Sequence, residues 1–315
     1  MTDTTQNNKR IAKNTLFLYF RQILIMAISL YTSRLVLHAL GVENYGVYNV
    51  VGGMVVMFSF LNGALAQATQ RYISFGIAKD TIEQQRQTFS MLFNVHLIIA
   101  VILLFLCETI GLWLFYNKLV IPHEQMNDAF WVMQCSIFTL LISVTQVPYN
   151  ASIFGHERMD IYAYISILEV LLKLGIAIIL SHYFSDKLLM YGIMIMAAQF
   201  IIALIYRCYC HLHFKNCVYV LYWSKKLFKE LVSFTGWNLI GNIAWTLNEQ
   251  GINILINLFF GPVYNAARGV ASQVSAAVTS FTTNFLGASI PQITKYYAVG
   301  DFDNCIKLCN KSTKY

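Results

Sequence analysis

Long apolar runs without alternation set the character of this chain. Asn94–Phe105 reads NVHLIIAVILLF, with no trace of the period of two expected of a half-buried strand. Transmembrane barrels need alternating segments of about 10 residues, so that reading fails. Runs long enough for a bilayer-crossing helix, about 20 mostly apolar residues, recur instead. They predict helices near Thr15–Leu40, Val47–Ala68, Phe89–Phe115, Ala129–Asn150, Ile161–Tyr183, Leu188–Cys210 and Phe234–Phe260. An eighth, Ala266–Ile290, is rich in Ser, Thr, Ala and Gly, small residues that suit close contact between helices inside a bundle. The expected fold class is therefore all-α and integral to a membrane, a polytopic bundle of about eight transmembrane helices.

Composition agrees with that pattern. Of 315 residues, 57% are hydrophobic and 12% charged, against about 25% charged in a soluble domain. The polar start Met1–Asn8 leads through Lys9, Arg10 and Lys13 into an apolar run too long for a signal-peptide core. No small-residue cleavage site follows, so this first run is expected to be a retained helix. Seven Cys fall in predicted helices or basic connections, which argues against a disulfide framework. The cluster Cys208, Cys210, His211, His213 and Cys217 matches no standard zinc spacing. It sits where a helix leaves the membrane, and no metal site is expected there.

Lys and Arg in the connections set the expected orientation. With the N-terminus inside, sixteen of the 22 basic residues lie in inside segments and only Lys118, Lys187 and Arg268 outside. Arg21, Arg34 and Lys173 lie within helices. Both ends of the chain are thus expected in the cytoplasm. The net charge of +7 is spread over these loops and calls for no nucleic-acid partner. The expected division is a cytoplasmic N-terminus at 1–14, a six-helix bundle at 15–211, and a basic cytoplasmic linker at 212–233. Two further helices follow at 234–291, then a cytoplasmic segment at 292–315. No phosphate loop, dinucleotide fingerprint or nucleophile elbow occurs, so neither cofactor nor catalytic residue is expected.

An internal repeat is visible. Leu40-Gly41-Val42-Glu43-Asn44-Tyr45-Gly46 follows the first helix, and Phe260-Gly261-Pro262-Val263-Tyr264-Asn265-Ala266 follows the seventh. Each leads into a small-residue helix that ends in a polar stretch, Gln70-Arg71-Tyr72 in one case and Gln292 to Lys295-Tyr296 in the other. Transporters are often built from such repeats, with the binding site between them.

Polar residues inside the predicted spans are the functional candidates, because an ionisable group in the membrane tends to face a bundle interior or a wet cavity. On helix seven, Asn238, Asn242, Thr246, Glu249, Asn253 and Asn257 recur every three or four positions and so share one face. The stripe is either a hydrogen-bonded seam between helices or the wall of a water-filled cavity. Glu249 sits mid-span, where a carboxyl suits coupling to a proton or Na+. Helix one carries Arg21 and Arg34, which either snorkel to the headgroups or point into a cavity, where the guanidinium forks would hold a phosphate. On helix five, Glu169 and Lys173 are spaced for an ion pair at i, i+4. That pair either eases insertion or takes part in gating. Pro148 should kink or end helix four, and His156 reads as an interfacial residue rather than a ligand.

Several of these segments are familiar. Ser29-Leu30-Tyr31-Thr32-Ser33-Arg34, then Leu40-Gly41-Val42-Glu43-Asn44-Tyr45-Gly46 through Gly53, then Ala68-Thr69-Gln70-Arg71-Tyr72, resemble bacterial polysaccharide flippases of the Wzx type, in the multidrug/oligosaccharidyl-lipid/polysaccharide superfamily. Val147-Pro148-Tyr149-Asn150-Ala151 with Gly155-His156-Glu157-Arg158-Met159 resembles the same family's fourth-helix exit. The resemblance implies a MATE-like inverted V, two six-helix bundles about a central cavity, of which the second is incomplete here. It implies the bacterial inner membrane as location and, as cargo, an oligosaccharide linked to a polyprenyl pyrophosphate. A basic cavity is also implied, and Arg21 and Arg34 are the residues that map to it.

Three rivals stand beside the flippase. A multidrug exporter of the same fold would carry an acidic residue in helix one, which has none. A membrane transferase acting on the same lipid carrier would need convergent His, Asp or Glu on an aqueous face. A scaffold would not need the stripe of helix seven.

Overall fold

The computed structural model describes residues 2–56, 60–117, 121–183, 186–231 and 289–312, with isolated positions between 232 and 288. Among the described residues the regular structure is helical throughout, without a strand. The helices are α1 (Thr2–Val56), α2 (Phe60–Lys79), α3 (Ile82–Leu106), α4 (Leu112–Asn117), α5 (Met126–Gly155), α6 (Met159–Tyr183), α7 (Lys187–His213) and α8 (Phe302–Ser312). Residues 225–231 and 289–298 are helical as well.

Five stretches of the described residues are long and apolar enough to span a bilayer: Leu16–Gly41, Ile82–Asn117, His123–Gly155, Met159–His182 and Lys187–His213. They coincide with the first, third, fourth, fifth and sixth expected helices. The expected second helix is helical on either side of residues 57–59. Nearly all of the expected seventh and eighth lie outside the described residues.

Three boundaries differ from the sequence reading, each for a local reason. Where a turn over Leu40–Gly46 was expected, α1 is broken at the single residue Gly41, with φ 76° and ψ 168°. That region of backbone space is essentially open only to glycine. Helix α3 begins at Ile82, well ahead of Phe89, because Thr81 and Gln84 form a reciprocal capping box. With α4 and the intervening π-turn Cys107–Gly111 it makes a run of 36 residues. Such a run is about 54 Å long and overshoots a hydrocarbon core of about 30 Å, which leaves room for Glu83 and Arg86 in its first turns. Pro148 neither ends α5 nor exposes it: the proline is buried and the helix continues to Gly155. Membrane helices tolerate proline inside a packed bundle; one turn on, Ser152 Oγ donates to Pro148 O at 2.9 Å.

Helix α5 is central, packed on α7, α2, α3 and α1, while the first arm of α1 lies on α6. Of the apolar clusters in the bundle, two are the largest. One joins Val51, Leu103, Phe115, Val132 and Ile137; the other joins Phe89, Leu92, Ile153, Ile202 and Tyr206. The second cluster lies at the end where Lys79, Arg158 and Lys215 emerge, called the basic end below.

The connection after α7 is fastened to that end. Arg86 Nε donates to Lys215 O at 2.9 Å, Val220 N to Ser90 Oγ at 2.9 Å, and Tyr219 Oη to Asn94 Oδ1 at 3.1 Å. Phe214, Cys217 and Leu231 are buried in the second cluster. The stretch expected as a basic linker is therefore packed along α3 and α5.

Candidate translocation site

A second polar stripe, not singled out in the sequence, runs along α5. Ser136, Thr139, Ser143, Gln146 and Asn150 are three, four, three and four positions apart, so they share one face. The first three line a cavity of about 240 Å³ together with Tyr48 and Gly52 of α1 and Gln199 of α7. These residues lie near the middle of α5, the depth at which transporter sites are usually built. Gln199 Nε2 donates to Gln146 Oε1 at 3.2 Å, and Gln146 Nε2 to Asn150 Oδ1 at 3.3 Å. An amide ladder thus carries the stripe from the cavity towards the basic end. The Ser and Thr hydroxyls donate to their own helix, Ser136 to Val132 O and Thr139 to Cys135 O, each at 2.8 Å. Their remaining lone pairs can accept from a ligand. No residue of the stripe is charged.

Arg21 sits where the stripe runs out. Phe154, one turn beyond Asn150 on the same α5 face, packs edge-on against Tyr162 with ring centroids 4.7 Å apart. The Arg21 guanidinium lies 4.8 Å from the centroid of that Tyr162 ring. Arg21 is 9% exposed, so it does not snorkel into water; it is held between α1 and α6. Arg34 is exposed and lies farther along α1 by about 20 Å at the helical rise. The structure therefore does not bring the two arginines together, and they are too far apart to grip one phosphate.

The other candidates are placed as follows. Lys173 Nζ donates to Glu169 Oε1 at 2.6 Å, so the expected pair is formed on α6. The stripe Asn238, Asn242, Thr246, Glu249, Asn253 and Asn257 lies outside the described residues. Arg207 lies near the end of α7. Its Nη2 donates to Thr145 Oγ1 at 2.9 Å and its guanidinium lies 5.8 Å from the Tyr149 ring centroid. Arg207 is not among the residues that line the cavity; it ties α7 to α5. Among the described residues no three His, Cys, Asp or Glu converge as metal ligands. In the cluster at the α7 exit, Cys208 is exposed while Cys210 and Cys217 are buried.

The family description "Polysaccharide biosynthesis protein" matches residues 11–297. The chain belongs to that family. It is 20% identical over 301 residues to the uncharacterized membrane protein EpsK of Bacillus subtilis (strain 168), covering 93% of this chain and 58% of that one. The chain thus spans little more than half the length of this curated relative. Among solved structures it resembles a MOP superfamily transporter from Pyrococcus furiosus Vc1 (DSM3638), with TM-score 0.75 and 13% identity over 96% of this chain and 69% of that one. It also resembles the Vibrio cholerae MATE transporter VcmN, with TM-score 0.76 and 15% identity over 98% of this chain and 70% of that one. A further likeness is to an outward-facing multidrug resistance MATE transporter of the same superfamily, with TM-score 0.77 and 14% identity over 96% and 69% of the two chains. The fold is that of the MATE-like membrane transporters, and its five apolar spans make the chain a multi-pass membrane protein.

Proposed function

We propose that the protein is a flippase that moves a lipid-linked oligosaccharide, carried on a polyprenyl pyrophosphate, across the bacterial inner membrane for polysaccharide or lipopolysaccharide synthesis. The observation that carries this reading is the uncharged α5 stripe, whose Ser136, Thr139 and Ser143 line a cavity near mid-helix and whose amide ladder continues towards the end of α5 where the buried cation Arg21 lies. Neutral hydrogen-bonding groups suit sugar hydroxyls, and a guanidinium suits a phosphate. A cation exporter, the reading favoured by the MATE likeness alone, would want a carboxylate there. The mid-helix carboxylate of α6, Glu169, is already held by Lys173.

In this scheme the basic end, with the N-terminus, faces the cytoplasm. The chain divides at 212–233 into a first bundle and the start of a second. Asn238, Asn242, Thr246, Asn253 and Asn257 form the opposite wall of the path, and Arg34 guides the head group farther along α1. Glu249 couples translocation to a proton or Na+, and the lipid tail stays in the bilayer with the surrounding lipids.

The test is complementation of a strain lacking its own flippase. The intact gene carrying Gln146→Ala with Ser143→Ala, Arg21→Ala with Arg34→Ala, or Glu249→Gln should give little surface polysaccharide at normal protein levels. Normal polysaccharide from all three variants overturns the assignment of the path. Drug resistance without any polysaccharide effect supports the exporter instead.

A further inference from the structure

The turn after α5 is a helix cap of a regular type carrying an unexpected residue. Arg158 N donates to Ile153 O at 3.0 Å and Glu157 N to Phe154 O at 2.9 Å, the paired bonds of a Schellman motif. The residue at its left-handed position is normally glycine. Here it is Glu157, at φ 59°, where a side chain costs roughly 1–2 kcal/mol.

The Glu157 side chain is only 1% exposed, and its Oε1 lies 2.7 Å from Lys295 Nζ. Lys295 stands on the helical residues 289–298, far along the chain and beyond the connecting segment. Ser289 and Gln292, at three-residue intervals before it, are buried, so Lys295 continues the packed face of that helix. The neighbours of the pair are polar but already matched. His156 Nε2 lies 3.0 Å from Asn216 Oδ1, and Arg158 is bound to Asp160.

We infer that Glu157 and Lys295 form a clasp that holds the basic ends of the two halves of the transporter together. Its strength sets how much time the molecule spends closed on that side. The argument is one of desolvation. A carboxylate this buried is stable only while its cation is in place, and removing one partner of such a pair leaves a charge stranded in low dielectric. Parting the two helices therefore has to break the pair and admit water to Glu157. A strained backbone kept at a glycine position fits a carboxylate retained for this contact. The inference rests on the division into two halves proposed above but not on the cargo.

The test uses the intact protein in lipid nanodiscs, read by hydrogen–deuterium exchange. Lys295→Met and Glu157→Gly each remove one charge, and the second also relieves the cap, so both variants should fold. Each should speed exchange in peptides 153–162 and 289–298 by roughly tenfold, the equivalent of about 1.4 kcal/mol. Exchange should slow in peptide 121–130 at the opposite end, and the double variant should go no further than either single one. Unchanged exchange, effects that add in the double variant, or loosening confined to the basic end would each overturn the clasp.

Discussion

The guanidinium of Arg21 on α1 lies 4.8 Å over the ring of Tyr162 on α6, and this one contact places the buried cation of the first helix at the end of the α5 stripe. A desolvated cation–π pair contributes about 2 kcal/mol, so Tyr162→Leu should lower the thermal stability of the purified protein while Tyr162→Phe should not. Arg21→Lys keeps the charge but loses the planar fork that matches a phosphate. It should therefore fold normally yet restore little surface polysaccharide in the complementation assay. Full activity of Arg21→Lys would show that the fork is not used.

Two glycines of the first bundle should fail for opposite reasons. At Gly41 a Cβ would meet nothing within 4 Å, so Gly41→Ala is penalised only through its backbone, by about 1–3 kcal/mol. At Gly155, in ordinary helix, a Cβ would meet Ile77 Cδ1 at 3.0 Å and Ile73 Cγ2 at 3.1 Å. Gly155→Ala should be rescued in part by Ile77→Val, and Gly41→Ala should not be rescued by trimming any neighbour. Melting temperatures of Gly41→Ala, Gly155→Ala and the Gly155→Ala, Ile77→Val double variant decide it.

Acidification should loosen the turn between α5 and α6. Burial holds the His156 imidazole below its ordinary pKa, and Lys295 pushes it the same way, against its contact with Asn216 and the charge of Glu157. The folded protein then takes up this proton at lower pH than the unfolded chain does. Stability should fall as pH drops through the ordinary histidine value of about 6.5, and level off below the depressed folded value. His156→Gln should flatten that part of a stability–pH curve measured in detergent between pH 7 and the acid range. An unchanged slope would remove His156 from the account.

The connection after α7 should resist proteolysis although it is rich in lysine. Ser90→Ala removes the acceptor for Val220 N, and Arg86→Ala removes the donor to Lys215 O. Either change should speed trypsin cleavage at Lys215, Lys225 or Lys226, measured on the intact protein in membranes. Equal rates for all variants would mean that packing of Phe214 and Leu231 alone holds the segment.

What could be read from the sequence was the part governed by local pattern. Apolar runs located five spans to within a turn or so at most ends, and the spacing of Glu169 and Lys173 anticipated their pair. The α5 stripe obeys the same periodicity as the one read on helix seven. Its three small members pass for ordinary helix-packing residues, however, and only the Gln199–Gln146 contact reveals the cavity beside them. The separation of Arg21 and Arg34 follows from the helical rise alone. The Thr81–Gln84 cap is written in the sequence too, but it lies ahead of the apolar run that marks the span. By contrast, the docking of the connection on Arg86, Ser90 and Asn94, and the meeting of Glu157 with Lys295, join residues more than a hundred positions apart. No local pattern announces them.

The anchored connection also bears on how such a molecule moves. The chain is fastened to α3 and α5 from Lys215 to Leu231. In the proposed flippase, a second bundle that moved against the first would therefore pivot from a fixed point at Leu231 and not from a slack tether, so its stroke would be that of a short lever rather than of a rope.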